Sequence, residues 1–505
     1  QNKADVYTSA LLATTMRPFS PQFENFRLEK NAMPTLEWIG KSKVVNHHQE
    51  VPFRVLERQY SFDEQGQHTA DNGSENMIIH GDNLEALKAL LPQYEGKVKC
   101  IYIDPPYNTG NEGWCYNDNV SDPHIQKWLG EVVGKEGEDL TRHDKWLCMM
   151  YPRLMLLQKL LADDGVIFIS IDDNELYNLK SICDEIFGAS CYVSDIAWQR
   201  TYSTRNDSKG IVNEVEHILV YSKEPEWNPN KLPRTAEMDA KYKNPDNDRT
   251  LWRTDNAFAP GAATHQGMVY AIQHPFTGKM LYPSNGACWR YQQDTMLEIM
   301  NGWTKYELQD LHDEKERAHV CGISPDEVRP DVKAIVLADP LEVASANAQK
   351  VMERGQWPRF FFTKGGKGGI ARKTYLENVG GRLPTNFWPF SETGHTDEAK
   401  KEMLAIFDGK ATFDTPKPHR LIEFVLKVAG TKDTLILDSF AGSGTTAHAV
   451  LNMNKADGGH RKFILVEMGD YADTITAERV KRVIHGYGEG KNAAEGTGGS
   501  FSYYE

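Results

Sequence analysis

The stretch Thr434–Val450, TLILDSFAGSGTTAHAV, decides the fold. It opens on an apolar run, turns through Gly442 and Gly444, and passes into a helical pattern near Thr445. Glycines in such a turn let another backbone or a ligand approach closely. The free N–H groups of the following helix then face an anion. The next apolar run ends at Glu467, 23 residues after Gly444, where a carboxylate is placed to accept both hydroxyls of a ribose. Taken alone, Gly442–Ala447 also fits the dinucleotide pattern GxGxxA. A nicotinamide-dependent oxidoreductase is therefore a rival from this motif.

Working outward, short β-branched runs predict further strands at Asn76–His80, Lys97–Ile103, Val166–Ile171, Val193–Gln199 and Glu216–Tyr221, with Thr434–Leu437 and Lys462–Val466 completing the set. Apolar positions recurring at three and four predict helices at Asn83–Leu91, Asp144–Ala162, Glu175–Phe187, Pro418–Ala429 and Thr445–Lys455. Strands alternating with helices imply a parallel, doubly wound α/β sheet. The alternation fails from about residue 225 to 400, where Pro, Asn and Trp are frequent. That block reads as an insertion splitting the α/β domain. The expected boundaries are an extension at 1–32, an N-terminal segment at 33–75, the first α/β part at 76–228, the insertion at 229–404, the second α/β part at 405–488 and a tail at 489–505. The Gly-rich end, GYGEGKNAAEGTGGSFSYYE, predicts a flexible segment closed by a short aromatic strand.

The chain has 505 residues and a formal charge of -14. That length is too great for one core and excludes a toxin or small-module reading. No apolar run approaches the ~18 residues of a membrane span. The seven cysteines are odd in number and form no CxxC pair, which argues against a disulfide framework or zinc site and for a reducing cytoplasm. Residues 1–32 lack a secretory pattern, and Met33 reads as a natural start. The acidic balance means that any nucleic-acid surface is a local patch.

A second motif, IYIDPPYNTG, places Asp104, Pro105, Pro106 and Tyr107 directly after a strand, where ligands sit in open α/β sheets. The prolines fix the backbone and leave a carboxylate, a carbonyl and an aromatic ring facing one crevice. That trio suits an exocyclic amine on a nucleobase, whose lone pair is delocalised into the ring. Accepting its hydrogens at Asp104 and the Pro105 carbonyl draws the nitrogen toward a tetrahedral shape, and Tyr107 stacks on the flipped base at ~1 to 3 kcal/mol.

Together the two motifs resemble the S-adenosylmethionine-dependent amino-methyltransferases, specifically the circularly permuted beta class in which DPPY precedes FxGxG. The resemblance implies a Rossmann-like seven-stranded sheet whose first strand is Thr434–Leu437, an inserted DNA target-recognition domain, and transfer of methyl to adenine N6. By the same likeness Asp82 in IIHGDNLEAL contacts the cofactor's adenine, Glu467 its ribose, Lys417 and Pro418 flank it, and Asp438, Phe440, Gly442, Gly444 and Thr445 complete its site. LEWIGK, DPPYNTG, EHILVYSK, the region Pro283–Trp289 and GGSFSYY look like the modification subunits of type III restriction systems. That likeness implies double-stranded DNA as partner, a homodimer, an ATP-dependent restriction subunit, and a bacterial cytoplasmic location on the nucleoid. Cytosine-N4 transfer is the neighbouring alternative; a DNA-recognition subunit without catalysis and the oxidoreductase are disfavoured, since the former leaves DPPY intact for nothing and the latter gives it no role.

Within the insertion, Arg359–Arg382 carries six basic residues against one acid, so Lys364, Lys367, Arg372 and Lys373 are the expected phosphate contacts, with Arg249–Arg253 and Arg200–Lys209 next in line. Trp114, Tyr116 and Trp128 are candidates to line a channel for the flipped base. The histidines lack metal-ligand spacing, and no metal is expected. TKGGKGGIARKT lacks P-loop spacing.

Overall fold

The computed structural model describes residues 35–109, 142–202, 210–490 and 493–505. The extension before Met33 and Trp114, Tyr116 and Trp128 lie outside the described residues. The chain forms two compact units. One runs to Asn228 and resumes at Thr385–Glu505, and the other is Pro229–Pro384. Residues 385–404, expected within the insertion, belong to the first unit.

The first unit is built on one sheet of eleven strands: β1 Arg58–Asp63, β2 Gly66–His68, β3 Met77–His80, β4 Val98–Ile103, β5 Leu161–Ile171, β6 Tyr192–Gln199, β7 Val215–Ser222, β8 Phe387–Trp388, β9 Leu435–Asp438, β10 Lys462–Glu467 and β11 Phe501–Tyr504. Their order across the sheet is β8-β6-β7-β5-β4-β9-β10-β3-β11-β1-β2. The seven strands expected from sequence lie side by side in the middle. From β5 to β3 every pair is parallel, so both faces are covered and these strands are continuously apolar. In β4, five of six residues are buried.

The sheet departs from the all-parallel expectation at one side, where β7 runs antiparallel to both β5 and β6. At the other side, β11 adds parallel to β3 and antiparallel to β1. The aromatic terminus is thus a paired strand, and the rings of Tyr60 and Tyr503 stack at 5.0 Å. The β1–β2 hairpin and β8 carry no clear period in the sequence.

The helices that matter for the site are α1 Asn83–Tyr94, α2 Arg142–Leu160, α3 Leu176–Phe187, α4 His419–Ala429, α5 Thr445–Asp457 and α6 Glu478–His485. Leu84, Leu87, Leu147, Leu154, Leu179 and Ile182 project from α1, α2 and α3 into one core with the strands. Each such fully buried side chain contributes about 1.5–3 kcal/mol relative to exposure. Among the described residues no helix is long and apolar enough to cross a membrane, and all six described cysteines are buried thiols.

The second unit holds small sheets around Trp252, Trp289, Trp303 and Phe360–Phe362. Strands Phe360–Phe362 and Trp252–Asp255 pair with opposite edges of Ile370–Tyr375. The 14-residue helix Leu341–Arg354 buries only Ala344 and Ala348, and such a narrow small-residue stripe gives little helical signal to read.

Candidate functional site

At the C-terminal ends of β4, β9 and β10 a cavity of about 340 Å³ opens, the position where open α/β sheets bind ligands. Asp104, Pro105, Pro106 and Tyr107 line it together with Lys417, Asp438, Phe440, Gly442, Thr445 and Glu467. Two motifs more than 300 residues apart thus meet because β4 and β9 are paired neighbours.

The cavity's Gly-rich wall is fixed by backbone geometry. Gly442 and Gly444 adopt φ of +51° and +78°, which L side chains rarely occupy. A Cβ on Gly444 would stand 2.9 Å from the Thr476 carbonyl oxygen, and one on Gly442 would stand 3.2 Å from the Phe413 ring. Glu467 holds the turn from below, accepting the N–H of Gly442 at 2.7 Å and of Gly469 at 2.9 Å. Burial raises its pKa against those bonds. Asp438 accepts the Thr446 hydroxyl at 2.6 Å and the Phe440 N–H at 3.1 Å. Burial, joined by the charges of Asp104 and Glu467, still pushes it up to about 7. Beside it, the buried Ser439 hydroxyl has no hydrogen-bond partner among the described residues.

Opposite lies the Asp104–Tyr107 loop. Trp146 donates its indole N–H to the Pro106 carbonyl at 2.7 Å. The next residue, Asn108, takes a left-handed φ of +59° and donates to the fully buried Glu175, which also contacts His143 Nδ1 at 2.7 Å and accepts from Asn178 at 2.7 Å. The prolines are therefore assisted by α2 and by the start of α3. Neither Trp146 nor Glu175 was legible as a supporting residue, because their signal is spatial.

Lys417 lines the cavity and its side chain reaches the Asp104–Tyr107 loop. Its Nζ donates to both Asp104 oxygens, at 2.8 and 2.7 Å, and to the Tyr107 hydroxyl at 2.9 Å. It also lies 3.2 Å from Glu216 Oε1. The Tyr107 hydroxyl stands 2.7 Å from Asp104 Oδ1 and 2.7 Å from Glu216 Oε1, donating to one or the other. Burial pulls the Lys417 pKa down, but Asp104 and Glu216 outweigh it and leave it raised. Burial and the same two carboxylates push Tyr107 well up, so its phenol stays protonated. Glu216 sits on β7, 4% exposed. Sequence reading passed over it inside EHILVYSK, where a polar residue in a strand gives no sign that it points into a cleft.

Other expected residues are not at the cavity. Asp82 caps α1 through the N–H groups of Leu84 and Glu85 and pairs with Arg153 at 3.3 Å; its neighbour Asn83 lines the cavity instead. Pro418 serves as the N-cap position of α4, and Gly444 belongs to the turn without lining the cavity, whereas its neighbours Ser443 and Thr445 do line it. In the second unit Lys364 and Lys367 are exposed, but Lys373 corrects the expectation. Its side chain is 0% exposed, with Nζ 2.5 Å from Asp246 and 2.6 Å from Asp248. Arg372 is paired with Asp255 at 2.5 Å, 16% exposed. Both cations of this strand turn to acids of the same unit, so their charge is neutralised internally.

Among the described residues Glu402, His419 and His448 bring possible metal-ligand atoms within 4.8 Å of one another. The Arg479 guanidinium already lies 3.2 Å from Glu402 and 3.1 Å from His448 Nδ1, a cation where an ion would need to sit.

A family model described as DNA methylase, N6_N4_Mtase, matches residues 98–478. The chain is 33% identical over 439 residues to the type III restriction-modification enzyme StyLTI Mod subunit of Salmonella typhimurium, covering 82% of this chain and 57% of that protein. It is 29% identical to the EcoP15I Mod subunit of Escherichia coli, over 90% of this chain and 66% of that one. With the type II methyltransferase M.KpnI of Klebsiella pneumoniae it shares 28% identity, over 79% of this chain and 81% of the relative. The chain thus spans between about half and two thirds of the length of the Mod subunits it matches.

Proposed function

This chain belongs to the DNA methylase family, and from that premise we propose that it transfers a methyl group from S-adenosylmethionine to the N6 amine of an adenine flipped out of double-stranded DNA. One observation carries the reading: the Asp104–Tyr107 loop and the Gly442–Gly444 turn face one another across a single cavity. An oxidoreductase has no use for the first, and a bare DNA-binding module has no use for either.

The residues present fit the cofactor. Gly442 lines the cavity without a side chain, the Ser439 hydroxyl lacks a partner among the described residues, and Asp438 and Glu467 are buried carboxyls whose desolvation a cation and sugar hydroxyls would relieve. On this reading Glu467, Asp438, Ser439 and the turn N–H groups bind it, with Phe440 and Phe413 as apolar walls. Its sulfonium supplies the electrophilic methyl. Asp104 accepts from the base amine and directs the nitrogen lone pair, and the loop's rigid backing by Trp146 and Glu175 supplies the orientation on which such a transfer depends. Adenine rather than cytosine rests on the resemblance of the Asp-containing tetrapeptide. DNA approaches, on the same reading, through exposed cations such as Lys364 and Lys367. A restriction subunit as partner is supported by the names of the Mod relatives.

Mapping modified bases by single-molecule sequencing in DNA from cells expressing the chain tests this. N6-methyladenine at one recurring sequence, lost in Asp104→Ala, is the expected result. N4-methylcytosine overturns the choice of base. Unmodified DNA, with calorimetry showing tight NAD binding and no response to S-adenosylhomocysteine, overturns the whole reading.

A further inference from the structure

We infer that Lys417 and Glu216 form a gate on the amine subsite: the Lys417 ammonium occupies Asp104 until a base amine displaces it, and Glu216 retains the displaced lysine. The inference rests on the methyl-transfer reading and goes beyond it by assigning a positioning role to a pair of residues on α4's approach and β7.

The Lys417 nitrogen carries hydrogens on both oxygens of Asp104 and on the Tyr107 hydroxyl. Asp104 is the side-chain acceptor that the exocyclic amine needs. The same nitrogen lies 5.0 Å from the centroid of the Tyr107 ring and 6.0 Å from that of Trp198, at the hydroxyl edge of Tyr107 and within reach of both rings. A nitrogen donor thus stands on Asp104, where the substrate's amine belongs. The base and Lys417 cannot both hold Asp104 in this arrangement.

Displacing a buried ammonium into nothing would be prohibitive, because an unpaired charge in a desolvated site costs several kcal/mol. Glu216 removes that obstacle. Its Oε1 already lies 3.2 Å from Nζ, so a small swing exchanges one carboxylate partner for the other. Arg200 stands 3.7 Å from Glu216 Oε2, on the oxygen that Lys417 does not use; Oε1 is shared with the Tyr107 hydroxyl at 2.7 Å, and a carboxylate oxygen can accept from both. The device also selects. Asp104 and Glu216 only accept hydrogen bonds, so a base presenting a carbonyl at the same position offers no donor to replace the lysine and leaves the gate shut.

The test uses the full chain, S-adenosylhomocysteine, and duplex DNA carrying the recognition site read from the methylation map, with 2-aminopurine beside the target adenine to report its unstacking. Glu216→Gln weakens the receiving partner and should lower the unstacked signal at least about tenfold, as expected for truncating a buried charge pair. Lys417→Met removes the plug and should raise the signal above wild type. The double variant should recover the loss seen in Glu216→Gln alone. A residue that merely supports the fold would give no such rescue. Glu216→Gln unstacking the base like wild type, Lys417→Met lowering the signal, or a double variant no better than Glu216→Gln each overturns the gate. If Glu216→Gln fails to bind S-adenosylhomocysteine, Lys417→Arg replaces it: a two-pronged cation grips Asp104 more firmly and should depress unstacking, and unstacking at wild-type level overturns the gate. Failure of the methyl-transfer reading shows separately, as wild-type protein that leaves DNA unmodified.

Discussion

Thr446 donates its hydroxyl to Asp438 across the first turn of α5 at 2.6 Å, yet Asp438 titrates near 7. The bond favours the ionised form, and burial, which favours the neutral form, is the larger effect.

That balance sets a pH dependence. The unfolded carboxyl releases its proton near 3.8, whereas the folded one keeps it to about 7. Between these values the folded state binds more protons than the unfolded, so stability from this group is full below the lower value and is lost as pH rises through the window. Asp438→Asn cannot titrate. The stability of wild type minus that of the variant, from urea midpoints between pH 4 and 8 without cofactor, should fall by up to about 4 kcal/mol. A flat difference refutes the assignment.

Tyr107 was expected only to stack. With its hydroxyl between Asp104 and Glu216, Tyr107→Phe keeps the ring and removes the hydrogen that separates two carboxylates. Single-turnover methyl transfer should drop about tenfold, the scale of one hydrogen bond among charged groups. Full activity in Tyr107→Phe would return the residue to stacking alone. Asp104→Ala should cost at least about a hundredfold in the same assay while DNA affinity changes little.

In the second unit the two kinds of lysine should separate. Reversing Lys364 and Lys367 to Glu is expected to weaken DNA binding and flatten the log-log salt slope by roughly 0.9 for each phosphate left without its cation. Lys373→Ala should leave that slope alone and destabilise the protein by about 3–5 kcal/mol, since it strands Asp246 and Asp248. Denaturation and fluorescence anisotropy measured on the same variants decide it.

Gly444→Ala forces a side chain into φ +78° and sets its Cβ against the Thr476 carbonyl. A loss of about 1–3 kcal/mol in stability and weaker S-adenosylhomocysteine binding by calorimetry are expected. Gly458, also left-handed at +65° but with open space around it, serves as the control: Gly458→Ala should be milder and leave cofactor affinity unchanged.

The seven central strands were legible as short apolar, β-branched runs, and the helices between them by a 3.6-residue period. The β7 direction was not, since an apolar run reads alike in both senses. DPPY and the Gly-rich turn were legible through local chemistry. Their meeting followed from strand order, which the resemblance supplied. Lys373 shows where local reading stops. It belongs to the densest basic segment of the chain, but strand pairing with Trp252–Asp255 turned it toward acids more than 120 positions away. Glu216, Trp146 and Glu175 act through neighbours that only folding provides.

Pairing β9 between β4 and β10 has a consequence for biosynthesis. While the chain emerges from the ribosome, β4 is made early and lacks its neighbour until residue 438 has been translated. Its flank is an open seam of unsatisfied N–H and C=O groups for the time needed to add more than three hundred residues. A ribosome stalled within the Pro229–Pro384 unit therefore presents an apolar strand edge rather than a partial enzyme. Nascent chains of that length should be the ones that chaperones hold, and release should follow synthesis of Leu435–Asp438.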